Sequence, residues 1–344
     1  MQNRWRTLLL GWKEWTSKRH NYSMSTRQDF TPHWGLSGPH RQTILATLLP
    51  SHFRPAKTKR HTVTLADGEQ LYLFENGLAS KAAPIVLIHG LGGSYQSGYM
   101  QRISAKLARQ GQQVFRVNLR GTAEGIRLAR KTAHAGCTED LADVLRWIQE
   151  HASDAPPAVA AFSLGGNILL KLLSQLDQHP RIEISRAVTV APPVDLETSC
   201  QKITSQHLGF YDRSFLRSLR KHLTLRARVY PDCPYAQLSP FPTTLHDFDD
   251  QFTAPVNGFD GASDYYQQSS SKDDLSKITT PTTILIAEDD PVVPAEIFSD
   301  AELSASTMLL RTTRGGHLGY LSGRLRQGDH RWMDWKVIEL LLEN

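Results

Sequence analysis

Hydrophobic and polar positions follow two regimes along this chain. From His61 to Glu75 they alternate singly, H-T-V-T-L-A-D-G-E-Q-L-Y-L-F-E, with Asp67-Gly68 between the two runs. A two-residue period interrupted by Asp-Gly predicts a β-hairpin. Beyond it, short apolar runs alternate with stretches of helical period. Ile85–Ile88, Val114–Val117, Ala158–Phe162, Ala187–Val190, Thr283–Ile286 and Met308–Leu310 predict strands. Gly98–Gln110, with Ile103 and Leu107 on one face, and Glu139–His151, Gly165–Leu176 and Arg331–Leu342 predict helices. Continuous apolar runs are what a strand covered on both faces requires, so the alternation predicts an α/β fold built on a mostly parallel sheet with helices on both sides.

Between Ala191 and Pro281 the alternation lapses for roughly 90 residues rich in Pro, Tyr, Phe, His and Arg. A structureless loop of that length does not suit a compact domain, which predicts a helical insertion, a cap, over about 191–280. The expected organisation is an N-terminal extension over 1–29 and one domain over 30–344 that carries this insertion. The 344 residues are 40% hydrophobic and 21% charged, an ordinary globular composition. No run nears the ~18 apolar residues of a membrane-spanning helix. Cys137, Cys200 and Cys233 form no C-x-x-C pair, which argues against a disulfide framework and a zinc knuckle and suits a cytoplasmic protein.

The net charge of +5 invites a nucleic-acid reading until its distribution is counted. Residues 1–60 hold eleven Lys and Arg against two acids, so the remainder of the chain is mildly acidic. Nucleic acid is therefore not expected as a partner. In the basic head, R-W-R-T-L-L-L-G-W-K-E-W places Trp5, Leu8, Leu9, Trp12 and Trp15 near one helical face. That spacing suits a helix lying on an anionic membrane surface through residues 1–23. The alternative is that Met24 is the start. The apolar core is too short for a secretory signal.

The sharpest chemical signal is A-A-F-S-L-G-G-N, Ala160 to Asn167, between a buried strand and a helix. It is a near-match to the G-x-S-x-G nucleophile elbow, with Ala161 in place of the first glycine. The plain alternative is a serine that caps a helix. Upstream, I-V-L-I-H-G-L-G-G-S ends a strand in a glycine-rich turn, where the backbone N–H groups of Leu91 and Leu164 would form an oxyanion hole. G-K-[ST] is missing, which excludes a P-loop. His89 is expected to orient this turn by hydrogen bonding rather than to act as a base. Downstream, T-I-L-I-A-E-D-D-P follows the same logic with acids after a strand, and R-G-G-H-L-G-Y places His317 after the next strand. The order Ser163, Asp290, His317 is that of a hydrolase triad, with Asp289 as the close competitor for the acid.

On these residues the chain resembles the α/β-hydrolase superfamily, and within it the YheT-type group of esterase-like proteins (the AB hydrolase 4 family). G-P-H-R-Q-T at Gly38–Thr43, N-L-R-G at Asn118–Gly121, H-A-G-C-T-E-D at His134–Asp140, F-D-D-Q-F-T-A-P with G-F-D-G-A-S-D-Y-Y within 248–266, and E-D-D-P carry that likeness. It covers about Phe30 to the C terminus. The resemblance implies a metal-independent serine hydrolase with no cofactor, acting on carboxylic esters, either short-chain esters or acylglycerols, through Ser163, Asp290 and His317. A serine acyltransferase and a catalytically silent binding protein remain alternatives, and the oligomeric state is not legible.

Three further signals have plain readings. His207 to Asp212 matches the H-x4-D acyltransferase pattern, but about one such match is expected by chance in a chain with this much His and Asp. In H-A-G-C-T-E-D, Thr138 is expected to cap a helix whose first turn holds Glu139 and Asp140, and Cys137 reads equally as a structural or a reactive thiol. The Arg-rich stretch Leu216–Arg228 is expected to be the solvated face of a cap helix.

Overall fold

The computed structural model describes residues 25–28, 30–51, 53–55, 57–78, 82–153, 155–205, 209–233, 239–326 and 328–343. Among these residues nine strands make one sheet: β1 (Ser25–Arg27), β2 (Lys59–Thr64), β3 (Gln70–Asn76), β4 (Ile85–Ile88), β5 (Val114–Asn118), β6 (Ala158–Phe162), β7 (Arg186–Val190), β8 (Thr282–Ala287) and β9 (Thr307–Thr312). Their spatial order is β1-β9-β8-β7-β6-β4-β5-β3-β2. The hairpin β2–β3 pairs antiparallel and joins antiparallel to β5, while the other neighbours run parallel.

The continuous apolar runs have the cause expected of them. In β4 all four residues are buried, because Val86 and Ile88 face one core and Ile85 and Leu87 the other. The first core holds α3 (Thr138–His151) and α4 (Leu164–Leu173) through Leu141, Val144, Leu145, Ile168, Leu169 and Leu172. The second holds α2 (Gly98–Arg109) and α10 (Trp332–Leu342) through Ile103, Leu107, Val337, Ile338 and Leu341. Each such side chain, fully buried, contributes roughly 1.5–3 kcal/mol. An ion cluster also joins α2 to α10: Arg102 Nε and Lys106 Nζ donate to Asp334 Oδ2 at 2.8 and 2.9 Å, and Lys106 Nζ lies 2.7 Å from Asp329 Oδ2.

Between β7 and β8 the chain forms α5 (Leu196–Ser205), α6 (Phe210–Val229), α7 (Leu245–Phe248), a π-helical turn (Asp249–Thr253), α8 (Ala254–Asn257) and α9 (Ala262–Ser269). Helix α6 contains the Arg-rich stretch and extends it by six residues at its start, with Arg217, Arg220 and Lys221 on its exposed face. Near the N terminus lies α1 (Pro39–Leu48).

Several local expectations change. Strand β1 falls in the segment read as an extension; it adds to the edge of β9, Thr26 opposite Leu310, through backbone pairing that its sequence Ser-Thr-Arg does not advertise. A small hairpin, β10 (Leu321–Arg326) with β11 (Asp329–Arg331), precedes α10 and carries no apolar alternation. Thr138 does not cap α3: it is the first helical residue, Cys137 takes the cap position, and no side chain there bonds the helix. Among the described residues no helix is long and apolar enough to cross a membrane. The amphipathic helix expected in residues 1–23 lies outside the described residues, as does His207 of the H-x4-D match, while Asp212 accepts from Leu245 N at 2.8 Å.

Candidate active site

The site grows out of the C-terminal ends of β4, β6, β8 and β9. Strand β6 delivers Ser163 at φ 52° and ψ −126°, a left-handed backbone that a serine adopts only under constraint. Ser163 N donates to Val190 O at 2.9 Å on the neighbouring strand, and Gly166 N closes the turn on Ser163 O at 2.7 Å. The small residues around it are a steric need. A Cβ on Gly165 would lie 2.4 Å from His89 O, and one on Gly90 would lie 2.8 Å from the Ser163 Cβ. Ala161 sits within β6, fully buried and paired with Ile88 and Thr189, so alanine is tolerated where the pattern has glycine.

His317 Nε2 lies 3.0 Å from Ser163 Oγ, and its Nδ1–H donates to Asp290 Oδ2 at 2.9 Å. The other oxygen of Asp290 accepts from Val292 N and Val293 N at 2.8 and 2.9 Å, which fixes the carboxylate on the turn after β8. Asp289 points elsewhere: its Oδ1 accepts from Gly316 N at 2.9 Å, holding the loop that carries His317, and burial lifts its carboxyl above the ordinary value. The structure thus brings Ser163, His317 and Asp290 into one hydrogen-bonded chain and leaves Asp289 beside it.

His89 is buried under the glycine-rich turn. Its Nδ1–H donates to Gly90 O at 2.8 Å and its Nε2 accepts from Leu119 N at 3.1 Å, so both ring nitrogens are occupied by backbone. Burial depresses its pKa to about 4, a neutral ring that fastens the turn to β5 and stays out of the Ser163 chain. Gly90 N donates to Tyr99 Oη at 3.1 Å. Leu91 and Leu164 line the cavities beside the serine.

Four residues that matter here carried no assigned role in the sequence, although each lies in or beside a quoted motif. In G-P-H-R-Q-T, Thr43 Oγ1 accepts from His317 N at 2.9 Å, and the buried Gln42 bonds Leu36 O and both backbone groups of Leu321. A Cβ on Gly316 would lie 2.5 Å from Pro39 O, so α1 packs directly on the histidine loop. Asn167, after the elbow, donates from Nδ2 to Ala135 O and Ser269 O and accepts at Oδ1 from Ser271 N and Oγ, locking α4 to the H-A-G turn and to the end of α9. In N-L-R-G, Arg120 grips Asp140 through two hydrogen bonds and also reaches Asp67 and Glu69. Cys137 is buried, accepts from His134 N at 3.1 Å, and has its thiol pKa pushed up by burial. No group of three or more His, Cys, Asp or Glu among the described residues is placed to hold a metal ion.

Two cavities meet at the elbow, both lined by Leu91, Leu164 and Tyr265. One, of about 70 Å³, reaches Ser163 and is walled mainly by apolar groups such as Phe215, Leu245 and Val293. The other, of about 150 Å³, is bordered by Arg120, His134 and His222.

The sequence profile described as alpha/beta hydrolase fold matches residues 83–323. The chain is 29% identical over 325 residues to the Escherichia coli protein named "Putative esterase YheT", covering 92% of this chain and 94% of that one. It is 28% identical over 258 residues to a monoacylglycerol lipase of Saccharomyces cerevisiae, covering 72% of this chain and 56% of that one. Among solved structures, an esterase of Pyrobaculum calidifontis superposes with a TM-score of 0.56 at 17% identity, covering 88% of this chain and 89% of that one. The profile match spans most of the chain, from the strand before the glycine-rich turn to beyond the histidine loop, and the chain belongs to the alpha/beta hydrolase fold family.

Proposed function

We propose that this protein is a serine hydrolase that cleaves carboxylic esters through an acyl-enzyme. The observation that carries the reading is the continuous chain Ser163 Oγ, His317 Nε2, His317 Nδ1, Asp290 Oδ2, with contacts of 3.0 and 2.9 Å. The names of its relatives, an esterase and a lipase among them, support the ester class. Ser163 Oγ attacks the carbonyl carbon while His317 Nε2 takes the hydroxyl proton, and Asp290 keeps the imidazole in the tautomer whose Nε2 is free to accept. The tetrahedral oxyanion would be held by the N–H groups of Leu91 and Leu164, a reading supported by their place in the lining of both cavities. Collapse expels the alcohol, whose oxygen receives the proton from His317. Water then repeats the sequence on the acyl-serine and releases the acid. The helices between β7 and β8 act as the cap that shapes the two cavities.

Ser163→Ala removes the nucleophile and is expected to lower kcat on p-nitrophenyl butyrate by a factor on the order of 10⁴ or greater. Turnover within tenfold of wild type by the purified, folded variant would sink the assignment. Labelling of wild type by a fluorophosphonate, absent in the variant, separates an activated serine from the inert one of a binding protein.

A further inference from the structure

The motif F-D-D-Q-F-T does no work in the mechanism above, yet it places a carboxyl in the cavity that reaches the nucleophile. Asp249 opens the π-helical turn that interrupts α7 and α8, a distortion that often re-aims a side chain at a functional site. Its Oδ2 accepts from Tyr266 Oη at 2.9 Å and its Oδ1 from Thr253 Oγ1 at 2.7 Å. Tyr266 Oη also lies 3.2 Å from Cys200 Sγ. Asp249 and Ser163 line the same cavity. Burial raises the Asp249 pKa to about 6, and the bonds from Thr253 and Tyr266 offset only part of that rise. Among the described residues it has no Lys or Arg partner, and each carboxylate oxygen keeps a lone pair beyond the bond it already accepts.

The cavity is small. A cavity of ~150 Å³ holds a benzene ring, so about 70 Å³ suits only a short chain of a few carbon-sized atoms. The acyl group is the part of an ester that stays bonded to Ser163 Oγ, and this is the cavity that reaches that atom. A short acyl chain in this cavity runs along a wall to which Asp249 contributes. If it is a plain hydrocarbon, it displaces water from the carboxylate and leaves acceptor capacity unmet in an apolar enclosure. If it carries a hydroxyl, one O–H meets one acceptor. An ammonium would bring three donors to a site whose other walls are largely apolar, which makes the hydroxyl the better match.

We propose that Asp249 is a specificity-determining residue that accepts a hydrogen bond from a hydroxyl on the acyl chain, so that the preferred substrates are esters of short hydroxylated acids such as 3-hydroxybutyrate. This rests on Ser163 being the nucleophile. Binding of the hydroxyl fixes the chain end against the π turn and leaves the carbonyl over the Leu91 and Leu164 amides. Hydrocarbon chains of the same length lose affinity rather than reactivity, because the mismatch lies away from the reacting bond.

The test compares kcat/KM for the p-nitrophenyl esters of each enantiomer of 3-hydroxybutyrate and of butyrate, with wild type, Asp249→Leu and Asp249→Asn, each checked for folding by circular dichroism. One hydroxy enantiomer is expected to exceed butyrate by about tenfold or more in wild type, the difference appearing mainly in KM. Asp249→Leu, with the same branching but larger and without an acceptor, is expected to abolish or reverse that preference. Should it fail to fold, Asp249→Asn, which halves the acceptor capacity, is expected to reduce the preference. A wild type that does not favour either hydroxy ester overturns the proposal, as does a preference that survives in the folded Asp249 variants. Turnover with no such preference refutes the role of Asp249 alone, whereas no turnover of any ester and no fluorophosphonate labelling refutes the serine-hydrolase reading with it.

Discussion

Glycine at position 165 shows how tightly one residue can be specified. The backbone oxygen of His89 stands 2.4 Å from where its Cβ would be, so Gly165→Ala must part α4 from the glycine-rich turn. The expected loss is about 1–3 kcal/mol of stability, read from urea unfolding, together with a fall in kcat as the Leu164 amide shifts. A variant with unchanged unfolding midpoint would show that the turn yields more easily than its packing implies. His89 sets a second expectation. Its folded pKa is about 4 against the ordinary 6.5, lowered by burial. Between those values the unfolded chain binds the extra proton, so stability falls as pH drops through that window. Urea midpoints from pH 7 to 4 should decline in wild type and decline less steeply in His89→Gln, whose amide can still donate and accept. His134, also depressed to about 4 by burial and by the nearby Arg120 and Lys131 charges, supplies part of the slope that remains.

Helix α1 supports the loop that carries His317 although none of its side chains lies in the Ser163–His317–Asp290 chain. Thr43 Oγ1 accepts from His317 N and donates onward to Pro39 O, and Gln42 fastens the same helix to Leu321. Thr43→Val keeps the volume and removes the acceptor. It is expected to lower kcat on p-nitrophenyl butyrate by about tenfold while KM changes little, as loss of an outer support does for a catalytic group. A drop in KM-dependent terms alone would place α1 in substrate binding instead. This element also marks a limit of sequence reading. Its polar residues, the buried Gln42 and the half-buried Thr43, are committed to hydrogen bonds, and no apolar stripe announces what the helix packs against. The strands of the central sheet are the opposite case: β4, β6 and β7 are buried on both faces, and that environment leaves the unbroken apolar runs from which they were read.

Across the whole molecule, helices on the second face of the sheet are joined by charges as well as by apolar packing. Asp334 is fully buried between Arg102 and Lys106, and although burial alone would raise its carboxyl, the two cations hold it below the ordinary value. Asp334→Asn leaves two buried cations without that carboxylate, and the expected destabilisation is about 3–5 kcal/mol. The measurement is the urea midpoint, and a loss under 1 kcal/mol would mean that water or Asp329 takes over. The order of chain segments was legible at this scale: an α/β sheet, a serine between strand and helix, an acid after one strand and a histidine after the next. Local chemistry decides these, because strand burial leaves apolar runs and a tight turn demands small residues. The tertiary structure alone decided which of two adjacent acids faces His317, since Asp289 and Asp290 differ only in the direction the turn gives them. It also decided that Ser-Thr-Arg forms an edge strand and that Asp249 and Ser163 line one cavity. Each depends on contacts between segments far apart in the chain, and such contacts leave no periodic trace in the sequence.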